Sequence, residues 1–406
     1  MTALLPLGAR PDGAGPVHTT CTNESTCMEL DVTHPALSDL RRRARSRMPH
    51  FAFEYLDSGT GAEKGVSHNR ERLDDIRFMP AILRGEFEPD LSRTTLGTTY
   101  AQPFGVAPVG MAGLLWPNAE RILAAAAAHH RMPYGQSTVA AAAPEDTGAI
   151  AGDMGWFQHY PVRDPEIRRD MLGRIKAAGW NTLVVTVDVP GESRRERQRR
   201  AHVSMPPVMT PKIIASIMSC PTWAMGILRH GQPTMKFPNS YTPAAKGAEA
   251  FTHAGRLIRG FPDDDYIRAL REEWDGKLVI KGIAEAEDAT RLIDLGADAI
   301  WVSNHSGRQF EGGPAAIDCL PPVVAAVGGR VPIYYCSGVQ GGLDILRALA
   351  LGADFVFLGK AWYFALAAFG RRGVDHLVHI LRADMTANMM QIGAASLKDL
   401  PGRLVR

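Results

Sequence analysis

Short apolar runs recur along this chain at intervals that fit alternating strands and helices. The runs are Phe104–Pro108, Pro133–Gln136, Trp156–Tyr160, Thr182–Val187, Leu278–Lys281, Ala299–Ser303, Pro332–Cys336 and Phe355–Leu358. Each is short enough for a buried strand and too short for a helix. Between them lie helical patterns. Ala119–His130 is alanine-rich, and Pro165–Ala178 places Ile167, Met171, Leu172 and Ile175 on one face. Glu285–Leu295, Ala315–Val327 and Gly342–Leu351 repeat that amphipathic spacing. Gly296 and Gly352, each in a Leu-Gly-Ala-Asp stretch, have the character of helix C-caps. Strand–helix alternation over this count predicts an α/β fold, a closed (β/α)8 TIM barrel, with an open doubly wound sheet as the competing architecture.

Two segments depart from the alternation. His34–Asp57 reads as an N-terminal helical region, basic over Asp39–Arg47 and aromatic over Phe51–Leu56, that packs on the barrel. After the fourth strand, residues 189–264 form an insertion too long for a connection and rich in proline; such segments serve as lids. Within it, Lys212–Met218 and Thr222–Leu228 read as short apolar helices that cover the site, pack on a neighbouring subunit or touch a membrane surface. Residues 1–33, rich in Gly, Pro, Thr and Ser, read as a mobile tail, and 34–400 as one domain.

Composition narrows the function classes. With 406 residues, 45% of them hydrophobic, the chain can bury a large core. A net charge of +2 gives no reason to expect nucleic acid. The five cysteines (Cys21, Cys27, Cys220, Cys319 and Cys336) are scattered, which fits a reducing compartment, and no metal site is read from their spacing. No apolar run reaches membrane-spanning length, and Met1–Pro16 lacks the basic start of a signal peptide.

The candidate chemistry centres on Ser303-Asn304-His305-Ser306-Gly307-Arg308-Gln309, just past the sixth strand. In a barrel that position is the catalytic rim. His305 can take a proton near neutral pH, and the planar fork of Arg308 suits a carboxylate. The pair points to removal of a proton or hydride from a small carboxylic acid. Lys281 ends the fifth strand, where an ammonium is costly unless it meets an anion. Tyr160 and Gln158, two apart at the third strand end, face the same side.

These segments resemble the FMN-dependent 2-hydroxy acid oxidases and dehydrogenases. The resemblance is carried by the heptapeptide together with Ala107-Pro108-Val109-Gly110, Phe157-Gln158-x-Tyr160, Thr186-Val187-Asp188-x-Pro190, Lys281-Gly282-Ile283 and Ala348–Asp354. It implies FMN as cofactor and oxidation of an (S)-2-hydroxy acid to the 2-oxo acid. His305 would be the base, paired with Asp188. Arg308, Tyr160, Arg195 and the position of Phe53 would meet the substrate. Lys281 would lie by the flavin, with Pro108, Val109, Gly110, Ser137, Gln158, Thr186 and Ser303 around its ring. Cys336, Ser337, Gly338 and Gln340, with Gly359 and Lys360, would meet its ribityl-phosphate end.

The match has four departures. Cys336 stands for a ribityl-binding aspartate. Gln340 and Lys360 stand for two phosphate arginines, leaving one positive charge. Phe53 stands for a substrate-binding tyrosine, which implies a different or larger acid. Ser306 stands for a glycine. Apart from these, Val139 lies on a family position often filled by a larger aromatic, which by resemblance implies a roomier pocket. The electron acceptor is oxygen, a quinone or a carrier protein. By resemblance the protein is a tetramer or octamer, cytoplasmic or peripheral at the inner membrane surface. Two alternatives stand beside this reading: oxidative decarboxylation of the hydroxy acid, and a barrel that has lost tight FMN binding and catalysis.

Overall fold

A computed structural model of the chain describes residues 24–203, 208–242, 255 and 257–405. A short antiparallel hairpin comes first in the strand order, β1 (Arg93–Thr95) with β2 (Thr98–Tyr100). Eight parallel strands then close a barrel: β3 (Phe104–Val106), β4 (Tyr134–Ser137), β5 (Gly155–His159), β6 (Thr182–Thr186), β7 (Lys277–Ile283), β8 (Ala299–Val302), β9 (Ile333–Tyr335) and β10 (Phe355–Leu358). β10 pairs with β3, so the sheet has no edge and the open-sheet alternative is excluded. The closed (β/α)8 architecture and the eight expected strands are found in the expected order.

The helix Ala119–His130 has the expected ends, and Pro165–Ala177, Ala286–Asp294, Ala316–Val327 and Gly342–Ala350 differ from expectation by a residue or so. Gly296 (φ 97°) and Gly352 (φ 102°) sit where a helix must reverse into the next strand. The barrel interior is a stack of aromatic rings. Trp301 and Phe357 lie 4.0 Å apart, flanked by Trp156 and Tyr334. The hairpin closes the N-terminal end of the barrel, where Thr95 Oγ1 meets Tyr334 Oη at 2.7 Å and Trp156 Nε1 donates to Tyr100 Oη at 3.2 Å. Its three-residue, threonine-rich strands carry too little apolar alternation to register in the sequence.

The N-terminal region is two helices, Leu37–Arg47 and His50–Asp57, separated at Met48-Pro49. The first docks on the C-terminal end of the helix Lys360–Phe369, where Arg43 Nε and Arg47 Nε donate to the Ala368 and Ala367 carbonyls. In Lys360–Phe369 every residue from Ala361 to Ala368 is buried, so it shows no periodicity to read. Part of the expected tail differs: Glu24–Thr33 is helical and Leu30 is buried. The rest of that segment, and parts of the insertion, lie outside the described residues.

The insertion contains the helices Pro211–Met218 and Pro221–His230. They do not cover the pocket. They lie beside it, anchored by buried Ile213 and Trp223, the latter donating to the Leu114 carbonyl at 3.0 Å. Their outer face leaves Ile214, Met218, Met225 and Leu228 exposed, continuing from Val208 and Met209.

Candidate active site

A cavity of about 890 Å³ opens at the C-terminal ends of the barrel strands. β6 runs into Asp188, β7 ends near Lys281 and β8 leads to His305, so the closed sheet brings three sequence-distant groups together. Asp188 Oδ1 lies 3.1 Å and Oδ2 3.3 Å from His305 Nδ1. This approach requires a glycine at 282. A β-carbon there would lie 2.6 Å from Asp188 Cβ and Cγ, and the residue has φ 108° at a register shift in β7.

The charges of the pair are set by burial and neighbours. Burial pushes the Asp188 carboxyl upward, but Lys281 and His305 outweigh it and hold Asp188 below its ordinary value. Burial lowers His305; Asp188 opposes this and Lys281 reinforces it, and the net direction is down. The stable combination is a carboxylate facing a neutral imidazole. With Nδ1–H donating to Asp188, Nε2 keeps its lone pair.

The His305 loop is docked on the helix Lys64–Asp74, which the sequence pattern did not reveal. Asn69 and Asn304 exchange side-chain amide hydrogen bonds at 3.0 and 2.8 Å. Gly307 (φ 68°) packs where a β-carbon would lie 2.7 Å from Val66 N, and its carbonyl accepts from Thr60 N. Ser303 Oγ accepts from His305 N at 3.0 Å and lies 3.2 Å from both Lys281 Nζ and Cys336 Sγ.

The expected substrate groups are placed as follows. Arg308 lines the cavity with its guanidinium turned onto the end of the helix His50–Asp57. Nη1 donates to the Leu56 and Ser58 carbonyls and Nη2 to that of Tyr55. Among the described residues no partner is found for Nε or the second Nη2 hydrogen, one edge of the fork. Burial first, and then the nearby Arg195, pulls this guanidinium down to about 10. Arg195 also lines the cavity, steadied by Ser193 Oγ at 2.9 Å and Gln309 Oε1 at 2.5 Å. Tyr160 is there too, its phenol pushed well above its ordinary range by burial and then by Asp188.

Phe53 is not brought to the site, which corrects the sequence reading. It is 3% exposed, tilted against Phe364 with ring centroids 5.9 Å apart, beneath Arg41 and Arg45. Tyr55, two residues on, faces the cavity instead, and its hydroxyl donates to the Gly110 carbonyl at 3.3 Å. Positions two apart on a helix point in different directions, and only packing shows which one faces inward. The argument from a missing hydroxyl therefore falls. Glu120 was also missed: its buried Oε1 accepts from Gly113 N at 3.2 Å and Ala141 N at 2.7 Å, clipping together the loops that carry Gly110 and Val139.

Of the expected flavin-ring residues, Pro108, Val109, Gly110 and Lys281 line the cavity, while Ser137, Gln158, Thr186 and Ser303 are buried behind it. Gln158 Nε2 is buried with no partner among the described residues, while its oxygen accepts from Ser137 Oγ at 2.8 Å. Among the described residues the buried Lys281 ammonium makes one hydrogen bond, to Ser303 Oγ. Thr186 is buried beside Lys281 in the β6–β7 register, and Pro108, Val109 and Gly110 form the adjoining wall. An unpartnered buried amide and an ammonium facing a cavity need acceptor atoms. The N1, O2 and O4 edge of a flavin supplies them, so these residues fit the cofactor.

The phosphate end is weaker. Cys336, Ser337, Gly338, Gln340, Gly359 and Lys360 all line the cavity. The Gln340 side chain is exposed, and its backbone N–H is taken by Asp344 at 2.9 Å. Lys360 Nζ donates to the Asp57 carbonyl at 2.7 Å, and burial with the nearby Arg308 pulls it down to about 7.

Comparison with known proteins accords with this geometry. The family model described as FMN-dependent dehydrogenase matches residues 44–406. L-lactate dehydrogenase of Xanthomonas campestris pv. campestris (strain B100) is 36% identical over 371 residues, covering 90% of this chain and 95% of the relative. That of Pseudomonas syringae pv. syringae (strain B728a) is 35% identical over 371 residues, covering 91% and 97%. Among solved structures, the monotopic membrane protein (S)-mandelate dehydrogenase superposes with a TM-score of 0.86 at 33% identity, covering 91% of this chain and 98% of that one. Mandelate oxidase gives 0.75 at 31% identity, covering 91% and 97%.

The chain belongs to the FMN-dependent dehydrogenase family and is an FMN-dependent oxidoreductase acting on a CH–OH group.

Proposed function

We propose that this FMN-dependent dehydrogenase oxidises an (S)-2-hydroxy acid to the 2-oxo acid, with His305 Nε2 as the base. The observation that carries the assignment is the Asp188–His305 contact of 3.1 Å on Nδ1, which suits Nδ1–H donation to the carboxylate and so Nε2 as the acceptor of a neutral imidazole, at a residue lining the cavity that Lys281 and Arg308 share. The substrate carboxylate rests on the free edge of Arg308, with Arg195 and the Tyr55 and Tyr160 hydroxyls beside it. Asp188 orients the imidazole and stabilises the imidazolium once Nε2 has taken the proton. Lys281 places positive charge at the cofactor's acceptor edge. FMN, when bound, accepts the two electrons that leave C2.

The cavity lining also includes apolar side chains, Met111, Val139, Val203, Met235 and Ile258. It favours a 2-hydroxy acid with an apolar side chain larger than methyl. The test is anaerobic bleaching of the flavin absorbance with a panel of acids. Bleaching by a larger apolar (S)-2-hydroxy acid at lower concentration than lactate or glycolate supports the reading; best reduction by glycolate or lactate refutes the substrate class, and no bleaching by any acid refutes the reaction.

The exposed face of the two insertion helices supports a peripheral place on the cytoplasmic membrane surface. Ile214, Met218, Met225 and Leu228 are flanked by Lys212, Arg229 and His230, as suits an anionic bilayer, and among the described residues no helix is long and apolar enough to span it. That location favours a quinone as electron acceptor. Flotation with anionic vesicles, abolished by Met218→Glu with Leu228→Glu, checks this. A second apolar surface, Met79, Ile82, Leu83 and Met390, supports a homo-oligomer.

A further inference from the structure

We propose that Ser337 is a positioning residue that holds His305 in its working backbone conformation, an inference that rests on His305 being the base. His305 (φ 54°), Ser306 (φ 56°) and Gly307 (φ 68°) are three consecutive left-handed residues. Only the last lacks the side chain that disfavours this region, and such backbone persists where its surroundings over-determine it.

Two serine hydroxyls supply that determination from two strand ends. Ser303 Oγ, after β8, accepts from the N–H of His305 itself at 3.0 Å. Ser337 Oγ, after β9, accepts from the N–H of Ser306 at 3.1 Å, fixing the peptide unit that follows the His305 Cα. The two bonds bracket His305, while Asp188 fixes its ring. Together they define the direction of Nε2.

Ser337 is itself in an unfavourable conformation, with φ 115°. Its surroundings hold it there: Tyr335 Oη donates to its carbonyl at 2.8 Å, and the next residue, Gly338, is packed so closely that a β-carbon would lie 2.9 Å from Asn69 O. A glycine at 337 would relieve the backbone and give up the hydroxyl, so backbone ease and the bond to Ser306 pull in opposite directions. Ser337 also lines the cofactor end of the cavity, so the loop carrying the base and the cofactor-facing loop share the bond from Ser306 N–H to Ser337 Oγ.

The experiment compares Ser337→Gly and Ser337→Ala with the wild type as full-length, FMN-loaded enzyme. S337G is expected to melt at or above the wild-type temperature, because its backbone is relieved; S337A keeps the strain and melts lower. In both, hydrogen–deuterium exchange of the peptide containing the Ser306 amide accelerates roughly tenfold. Also in both, kcat falls about tenfold with KM little changed, and the acid limb of the kcat/KM profile moves. Unchanged exchange at Ser306 overturns the proposal. So does faster exchange with wild-type kcat and pH profile, and so does loss of turnover through loss of bound FMN with exchange unchanged. Wild-type turnover in His305→Asn refutes the base assignment separately, since the exchange measurement reads the clamp without turnover.

Discussion

Arg308 and Tyr55 are joined twice: the guanidinium sits 5.7 Å from the Tyr55 ring centroid, and Nη2 donates to the Tyr55 carbonyl at 2.9 Å. A residue expected only to grip substrate thus also caps the helix that carries Tyr55 to the cavity. Lysine offers a point charge and cannot satisfy three carbonyls while keeping an edge free. Arg308→Lys is expected to lower kcat/KM by roughly a hundredfold or more and to destabilise the fold by about 2 kcal/mol. Steady-state kinetics together with thermal melting checks both parts.

The exchange of roles between Phe53 and Tyr55 is testable directly. Tyr55→Phe removes a hydroxyl from the cavity and is expected to raise KM on the order of tenfold. Phe53→Ala empties a core position and is expected to cost about 3–4 kcal/mol in stability, while KM of the folded fraction stays near wild type. The opposite pattern would restore Phe53 to the site.

His305 must be neutral to accept a proton, and its pKa in the free enzyme is lowered by burial. kcat/KM should therefore rise as pH increases through a value below the ordinary histidine range of about 6.5 and then level off. Asp188→Asn removes the charge that opposes this lowering, so the acid limb should move to still lower pH. It also removes the partner that orients Nδ1–H, and kcat should fall by roughly 10²–10⁴. A pH–rate profile of each enzyme decides it.

Lys360 is held at about 7, chiefly by burial and then by Arg308, with Asp57 and Glu63 only partly opposing them. Binding of the FMN phosphate favours the charged form. Above pH 7 the free enzyme must take up a proton to bind, so affinity for FMN should fall up to tenfold per pH unit until the bound-state pKa is passed. Fluorescence titration of apoprotein between pH 6 and 9 measures this, and Lys360→Met should flatten the dependence.

His159 is fully buried on β5, its Nε2 at 3.2 Å from Tyr266 Oη and its Nδ1 without a partner among the described residues. Burial, and to a smaller extent Arg168, pulls it down to about 3. The unfolded chain takes up the proton near 6.5 while the folded chain refuses it. Stability is therefore complete above 6.5 and is lost at about 1.4 kcal/mol per unit as pH falls toward 3. His159→Leu should leave stability at pH 7.5 nearly unchanged or higher and remove this acid-dependent loss, read as urea midpoints at pH 7.5 and 4.5.

The sequence by itself determined the barrel and the chemical inventory. Strand β6, Thr-Leu-Val-Val-Thr, could be nothing but buried, and the repeated Leu-Gly-Ala-Asp ends placed helices before β8 and β10. These signals are local, because each element buries its own apolar residues with its own period. The residues on the cavity rim were legible for the same reason, since a strand's C-terminal end names its neighbours on the rim. What a residue touches there is a long-range fact. That Tyr55 rather than Phe53 faces the cavity depends on how a helix outside the barrel packs against Lys360–Phe369. That Arg308 and Lys360 rest on the Tyr55–Ser58 carbonyls depends on where that helix ends. That Ser337 reaches the peptide after His305 depends on a backbone conformation a serine does not ordinarily adopt. Only the tertiary structure decided these, because orientation and hydrogen-bond partners are set by closure of the barrel and docking of its N-terminal helices, not by the pattern of any single segment.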